Sequence, residues 1–211
     1  MAAHDRPFSR LPRHVGFIPD GNRRWAEARG NAKRDGYAAG IAPGLALIAL
    51  CRDLGIPEIS IYGFTKDNVR RPADQVGAFR QACVEFCAAA LQAGAALRVI
   101  GDADSPAFPA DLAGLARTRS TGTLRVNLLV NYAWQWDLDT LERTGRLASA
   151  DLPRIDLLVR WGGRRRLSGF LPVQSTYADI YVVDRLWPDF TPQDFVDALH
   201  WYQEQDVTLG G

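Results

Sequence analysis

The chain has 211 residues, 47% of them hydrophobic and 23% charged, a length that buries roughly 70% of the unfolded surface in a single domain. That balance excludes a disordered tail, a coiled coil and a disulfide scaffold. With 25 Lys+Arg against 24 Asp+Glu, no global field draws the chain to nucleic acid or to a membrane surface, so an anion site must be local.

The basic segment 1–13 precedes no apolar run and is expected as a flexible N-terminal arm of one domain spanning 1–211. No stretch approaches the ~18 to 20 apolar residues that cross a bilayer, and the expected compartment is the cytoplasm. Strand-like runs follow at His14–Asp20, Glu58–Phe64, Ala96–Gly101, Leu124–Tyr132, Ile155–Arg160 and Asp179–Asp184. Between or after them lie helix-length segments at Gly36–Leu54, Ala73–Ala93, Pro109–Arg117, Trp136–Ala148 and Thr191–Gln203. This alternation predicts an α/β fold, a six-stranded, mostly parallel sheet with helices on both faces, and strands that are nearly all apolar. Cys51, Cys83 and Cys87 fall in apolar helical surroundings with no metal spacing and read as buried thiols.

Ligands of such sheets bind beyond the carboxyl ends of the strands, so chemistry is sought there. The first strand ends in Asp20-Gly21-Asn22-Arg23-Arg24-Trp25, a carboxylate at a strand tip followed by guanidiniums on an opening helical turn. That arrangement suits a metal-bound diphosphate, although Asp-Gly-Asn is also a common turn. The second run ends in Thr65-Lys66-Asp67-Asn68-Val69-Arg70-Arg71-Pro72, which reads equally as a solvated loop. The fifth leads into Arg160-Trp161-Gly162-Gly163-Arg164-Arg165-Arg166-Leu167-Ser168. A near-neutral protein has little structural reason to crowd four arginines, and anion binding explains them best. Three basic clusters at three strand ends imply two diphosphates held side by side. No Gly-rich dinucleotide or P-loop signature and no Ser-His-Asp arrangement is present, and His200 reads as a packing residue.

These segments resemble the signatures of the cis-prenyltransferases of the undecaprenyl diphosphate synthase type. Asp20 matches the aspartate that chelates Mg²⁺, the expected cofactor, within a substrate-binding turn of Gly21, Asn22, Arg23, Arg24 and Trp25. The resemblance adds Lys33, Tyr37 and Thr65 to the substrate contacts, gives Asn68 a part in deprotonation and makes Arg71 the arginine for the allylic diphosphate. Arg160, Arg166 and Ser168 match the groups that hold isopentenyl diphosphate, and Asp179 replaces a glutamate that helps arrange the metal. The resemblance implies a homodimer, an apolar tunnel lined by the Gly36–Leu54 and Ala73–Ala93 helices, and membrane association only for a long product.

Several positions depart from that pattern. Gly36-Tyr37-Ala38-Ala39-Gly40 lacks the expected histidine, Val69 replaces an aromatic residue, and Thr208-Leu209-Gly210 replaces an arginine-x-glycine. The segment after Trp136 is short, and Trp134 and Trp161 are expected to change how the acceptor lies. The leading reading is a condensation of an allylic diphosphate with isopentenyl diphosphate to a short or medium cis-prenyl product. Irregular coupling of the lavandulyl type and a non-catalytic partner subunit are the alternatives.

Overall fold

The computed structural model describes residues 8–206. Six strands form one sheet in the order β3-β4-β2-β1-β5-β6, and every neighbouring pair is parallel. They are β1 (His14–Ile18), β2 (Glu58–Tyr62), β3 (Ala95–Ile100), β4 (Leu124–Leu129), β5 (Leu157–Trp161) and β6 (Asp179–Val183). All six expected strands are present, each ending up to three residues from its expected boundary, and the sheet is wholly parallel. β2, β4 and β3 lie on one side of β1, and β5 and β6 on the other. β1 and β5 pair in the middle of the sheet, so the crevice beyond their carboxyl ends is the switch point where ligands of open α/β sheets sit.

The helices are α1 (Asn22–Ala28), α2 (Asp35–Ala39), α3 (Ile41–Asp53), α4 (Ala73–Gln92), α5 (Ala113–Arg117), α6 (Trp134–Thr144) and α7 (Pro192–Tyr202). The single helix expected over Gly36–Leu54 is two, divided at Gly40, because α2 must dip against α1. A methyl group at Gly36 would fall 2.0 Å from the Asn22 carbonyl oxygen, so only glycine permits this approach. α6 begins two residues before the expected start and ends four before the expected end, at Gly145, whose φ of 76° closes it. Among the described residues, no helix is long and apolar enough to cross a membrane.

Alternation along each strand sorts the core into two layers. Val15, Phe17, Ile59, Ile61, Val126 and Val159 pack beneath Leu47 of α3, Phe86 of α4 and Phe195 of α7. The opposite face is apolar only toward the carboxyl ends, where Ile18, Ile100, Leu129 and Leu158 meet Tyr132, Phe170 and Leu171. Toward the amino ends it carries His14, Ser60 and Asn127, all buried. The expectation of nearly all-apolar strands therefore fails on this face. The segment expected as a flexible arm is fastened from Phe8 onward: Phe8 lies against His200 of α7 at 4.8 Å, and Arg10 covers the Tyr202 ring at 4.3 Å. Residues 1–7, and the Thr208-Leu209-Gly210 departure, lie outside the described residues.

Candidate active site

Beyond the carboxyl ends of β1, β2 and β5 lies a cleft of about 470 Å³. Asp20, Gly21, Asn22, Arg23, Arg24, Tyr37, Thr65, Asn68, Arg71, Arg160, Arg166 and Ser168 all line it. Twelve residues read from the sequence as substrate contacts or catalytic groups thus share one cavity, though they span 149 positions of the chain.

The turn after β1 is sharp because Gly21 adopts φ 117°, and a methyl group there would meet Leu186 at 2.8 Å. It starts α1 at once, which turns Asn22, Arg23 and Arg24 into the cleft. Asp20 accepts from Arg160 Nη2 at 2.9 Å on one oxygen, and Arg24 Nη2 lies 3.5 Å from the other. Arg160 is 4% exposed and also donates from Nη1 to Ser168 Oγ at 2.8 Å and to the Arg166 carbonyl. It therefore binds the β1 turn to the segment after β5. Ser168, at φ 53°, receives the Tyr62 hydroxyl on its carbonyl at 3.0 Å, so β2 joins the same assembly. Burial raises the Tyr62 pKa, nearby Asp67 adds to the rise, and Arg160 opposes it, so the phenol stays protonated as a donor.

The Lys66–Arg70 turn after β2 is a short 3-10 helix capped in both directions by Thr65 and Asn68. Asn68 Oδ1 accepts from the Thr65 backbone N–H at 3.1 Å. Lys66 fixes this turn from outside through Asp102 at 2.6 Å, a contact with no sequence signature. Arg71, which follows the turn, donates to the Tyr37 hydroxyl at 2.9 Å.

Three expected site residues lie elsewhere. Trp25 donates to Asp189 at 2.7 Å on the far side of α1 and stacks under Arg29, so it braces the helix. Lys33 pairs with Glu27 at 2.9 Å, and of the two only Glu27 lines the cleft. Asp179 opens β6 opposite Leu157, three residues along β5 from Arg160, and thus about 10 Å toward the amino end of the sheet. Its neighbours there are Arg10 and Asp156, and burial raises its pKa. Within one chain Asp179 cannot share an ion with Asp20, because the parallel register sets them at opposite ends of the sheet. The tryptophans also stand apart from the cavity: Trp161 is fully buried against Trp187, and Trp134 lies over Gly169.

Among the described residues no three His, Cys, Asp or Glu side chains gather as a metal cage. Asp20, one-third exposed beside guanidiniums in a cleft that Glu27 and Asp67 also line, matches the way Mg²⁺ binds through one or two carboxylates plus substrate phosphates. Four polar atoms in or near the cleft are buried with no protein partner: Asn22 Oδ1, Arg23 Nε, Arg160 Nε and Asn131 Oδ1.

Beneath the cleft opens a second, apolar chamber of about 70 Å³, lined by Gly40, Ile41 and Gly44, by Phe79, Ala82, Cys83 and Phe86, and by Ile61 and Leu128. These are the two helices from which the tunnel was expected. Burial pushes the Cys83 thiol up to about 12, so it serves as apolar wall. The sequence reading missed Tyr62 and Phe79, whose aromatic character alone does not separate cleft from core.

A family model described as "Putative undecaprenyl diphosphate synthase" matches residues 18–210. The chain belongs to the undecaprenyl diphosphate synthase family. An isoprenyl transferase of Heliobacterium mobile in this family is 34% identical over 96% of this chain and 88% of its own length. The undecaprenyl diphosphate synthase of Aliivibrio fischeri is 29% identical over 95% and 89%. A solved lavandulyl diphosphate synthase from Lavandula x intermedia, in complex with dimethylallyl diphosphate, superposes with a TM-score of 0.78 at 25% identity, covering 95% of this chain and 98% of that one. These family relatives are prenyl transferases by name, and the family places this chain among such enzymes.

Proposed function

We propose that the protein joins an allylic diphosphate to isopentenyl diphosphate in a Mg²⁺-dependent reaction and releases a short prenyl diphosphate. The observation that carries this reading is the junction of a strongly basic cleft with an apolar chamber directly beneath it. An amphiphile with a diphosphate head and a hydrocarbon tail matches that junction.

Asp20 would hold the metal, which neutralises charge on the leaving diphosphate when bound. Arg71 and the α1 arginines grip the allylic head by charge-assisted bonds, while Arg166 and Ser168 take the second diphosphate. Arg160 acts largely through others: its Nη1 and Nη2 groups bond Asp20, Ser168 and the Arg166 carbonyl, so it orients both subsites, and its Nε alone is left without a protein partner. Asn68 is a hydrogen-bond donor in this geometry, since its amide oxygen is held by Thr65 and a carboxamide is too weak a base to take a proton. Its Nδ2 group is left to orient a diphosphate oxygen. We also propose a homodimer, supported by Trp134, Leu138 and Leu141, which α6 leaves exposed one turn apart.

The resemblance favours about C10 to C20 products, and the chamber of about 70 Å³ favours the short end of that range. A second reading, irregular coupling of two dimethylallyl units, is favoured by the lavandulyl diphosphate synthase likeness. Incubation with dimethylallyl, geranyl or farnesyl diphosphate, with and without isopentenyl diphosphate and Mg²⁺, separates the two by product mass and alkene geometry. A product that requires isopentenyl diphosphate supports regular condensation, and a branched product from dimethylallyl diphosphate alone overturns it. A folded protein that turns over none of these substrates would return it to the partner-subunit class.

A further inference from the structure

Two aromatic rings stand between the basic cleft and the apolar chamber and line both: Tyr37 of α2 and Phe79 of α4. They are stacked, with centroids 4.4 Å apart and planes 7° from parallel. Phe79 is met edge-on by the buried Phe64 ring at 5.5 Å. Arg71 lies over Phe79 at 5.9 Å and donates to the Tyr37 hydroxyl. The arginine assigned to the allylic head and the two rings at the mouth of the tail chamber therefore form one connected unit.

That unit limits what passes. Tyr37 is buried, stacked on one side and tied at its hydroxyl, so its ring cannot swing aside without breaking the tie. Below it the chamber of about 70 Å³, at about 10 to 15 Å³ for each water-sized group, takes about five carbon-sized groups, the content of one isoprene unit. An arginine has five donors, and one of them satisfies Tyr37 while the rest remain for an anion, so a bound head group and a closed stack are compatible.

We propose that the Tyr37–Phe79 stack is the specificity determinant for the tail of the allylic substrate, admitting about one isoprene unit, and that Tyr37 also positions Arg71 for the head group. This inference rests on the prenyl-transfer reading above. The two rings have separable parts. Phe79 supplies bulk, and the Tyr37 hydroxyl supplies the link to Arg71.

The test measures binding of the unreactive thiolo analogues of dimethylallyl, geranyl and farnesyl diphosphate by calorimetry, with inorganic pyrophosphate as the head-group control. Wild-type protein should prefer the dimethylallyl analogue over the farnesyl analogue by at least about tenfold, the range a misfitted apolar pocket imposes. Phe79→Ala should bring the two within about threefold, keep pyrophosphate affinity, and lengthen the main product by one or more isoprene units. Phe79→Leu provides the same comparison with smaller loss of packing if the alanine variant does not fold. Tyr37→Phe keeps the stack and should weaken all three analogues and pyrophosphate alike, by about two- to tenfold, with the chain preference unchanged. Equal wild-type affinity for the three analogues, or a folded Phe79 variant with wild-type selectivity, overturns the gate and leaves the prenyl-transfer reading standing. A wild-type protein that binds pyrophosphate and none of the analogues overturns that reading, and the gate with it.

Discussion

The two ends of the central sheet are both polar, and they differ in how their polar atoms are satisfied. At the amino end, the His14 ring bonds the Pro153 carbonyl at 2.9 Å and Ser60 Oγ at 2.8 Å, and Asn127 Nδ2 donates to Ser60 and to Glu58 at 2.9 Å. Arg125 closes this chain on the second Glu58 oxygen at 2.9 Å. No side-chain atom in that network is left over. At the carboxyl end, Asn22, Arg23 and Arg160 each keep a buried atom without a protein partner. Buried polar atoms cost most when unpaired, so a closed network marks structure, and unpaired atoms gathered at a cleft point to a ligand.

The largest expected effect tests the open end. Asp20→Asn preserves an acceptor for Arg160 and removes the charge, so turnover should fall by about a hundredfold or more while the melting temperature barely moves. Incorporation of labelled isopentenyl diphosphate beside thermal denaturation reads both, and near-normal turnover would remove Asp20 from the chemistry. Arg160→Ala should cross the boundary between the two classes. It removes charge-assisted bonds from a buried hub, so about 2 to 3 kcal/mol of stability should be lost together with binding of both diphosphates. An effect on isopentenyl diphosphate alone would show that Arg160 is a substrate contact and not an organiser.

The closed end should behave in the opposite way. Ser60→Ala strips a partner from both His14 and Asn127, with an expected loss of about 1 to 3 kcal/mol in urea denaturation and no change in kcat/KM for the folded fraction. The smallest effect is a pH dependence. Burial lowers the His14 pKa against the opposing pull of the Pro153 carbonyl and of Glu58. The unfolded chain, with an ordinary value near ~6.5, therefore takes up its proton first as pH falls. Stability from this group is complete above that value and declines below it, by at most about 1.4 kcal/mol for each pH unit. Denaturation midpoints at pH 5 and pH 7.5 should show the decline, and His14→Gln should flatten this part of it.

The strand count and the cleft were legible in the sequence because both rest on local signals. Apolar runs at regular spacing specify a sheet, and basic turns after strands specify where charge gathers. Asp20, Arg160 and Arg166 lie in turns found in this way, whereas Arg71 was singled out only by the family resemblance. What escaped depended on register or on crossing helices. Asp179 sits in a motif beside the site residues, yet the parallel pairing of β5 with β6 carries it to the far end of the sheet. The break at Gly40 follows from the contact of α2 with α1, and the gate position of Phe79 follows from which side of α4 faces Tyr37. Neither is written in the spacing of a single segment. Trp25 illustrates a related limit, since on the seven-residue α1 only one side can face the cleft, and Lys33 lies in the turn beyond that helix.

The pairing of β1 with β5 joins Val15 to Leu157, and it sets an order of events during synthesis. β1 can pair with β2, and β3 with β4, while the rest of the chain is still being made, since each pair closes a comparatively short loop. The second flank of β1 stays bare until β5 has left the ribosome. Asp20 emerges early and meets Arg160 only after more than three-quarters of the chain has been translated. A nascent chain stalled before β5 would therefore present a free, apolar strand edge in the centre of its sheet, the surface that chaperones and aggregates compete for.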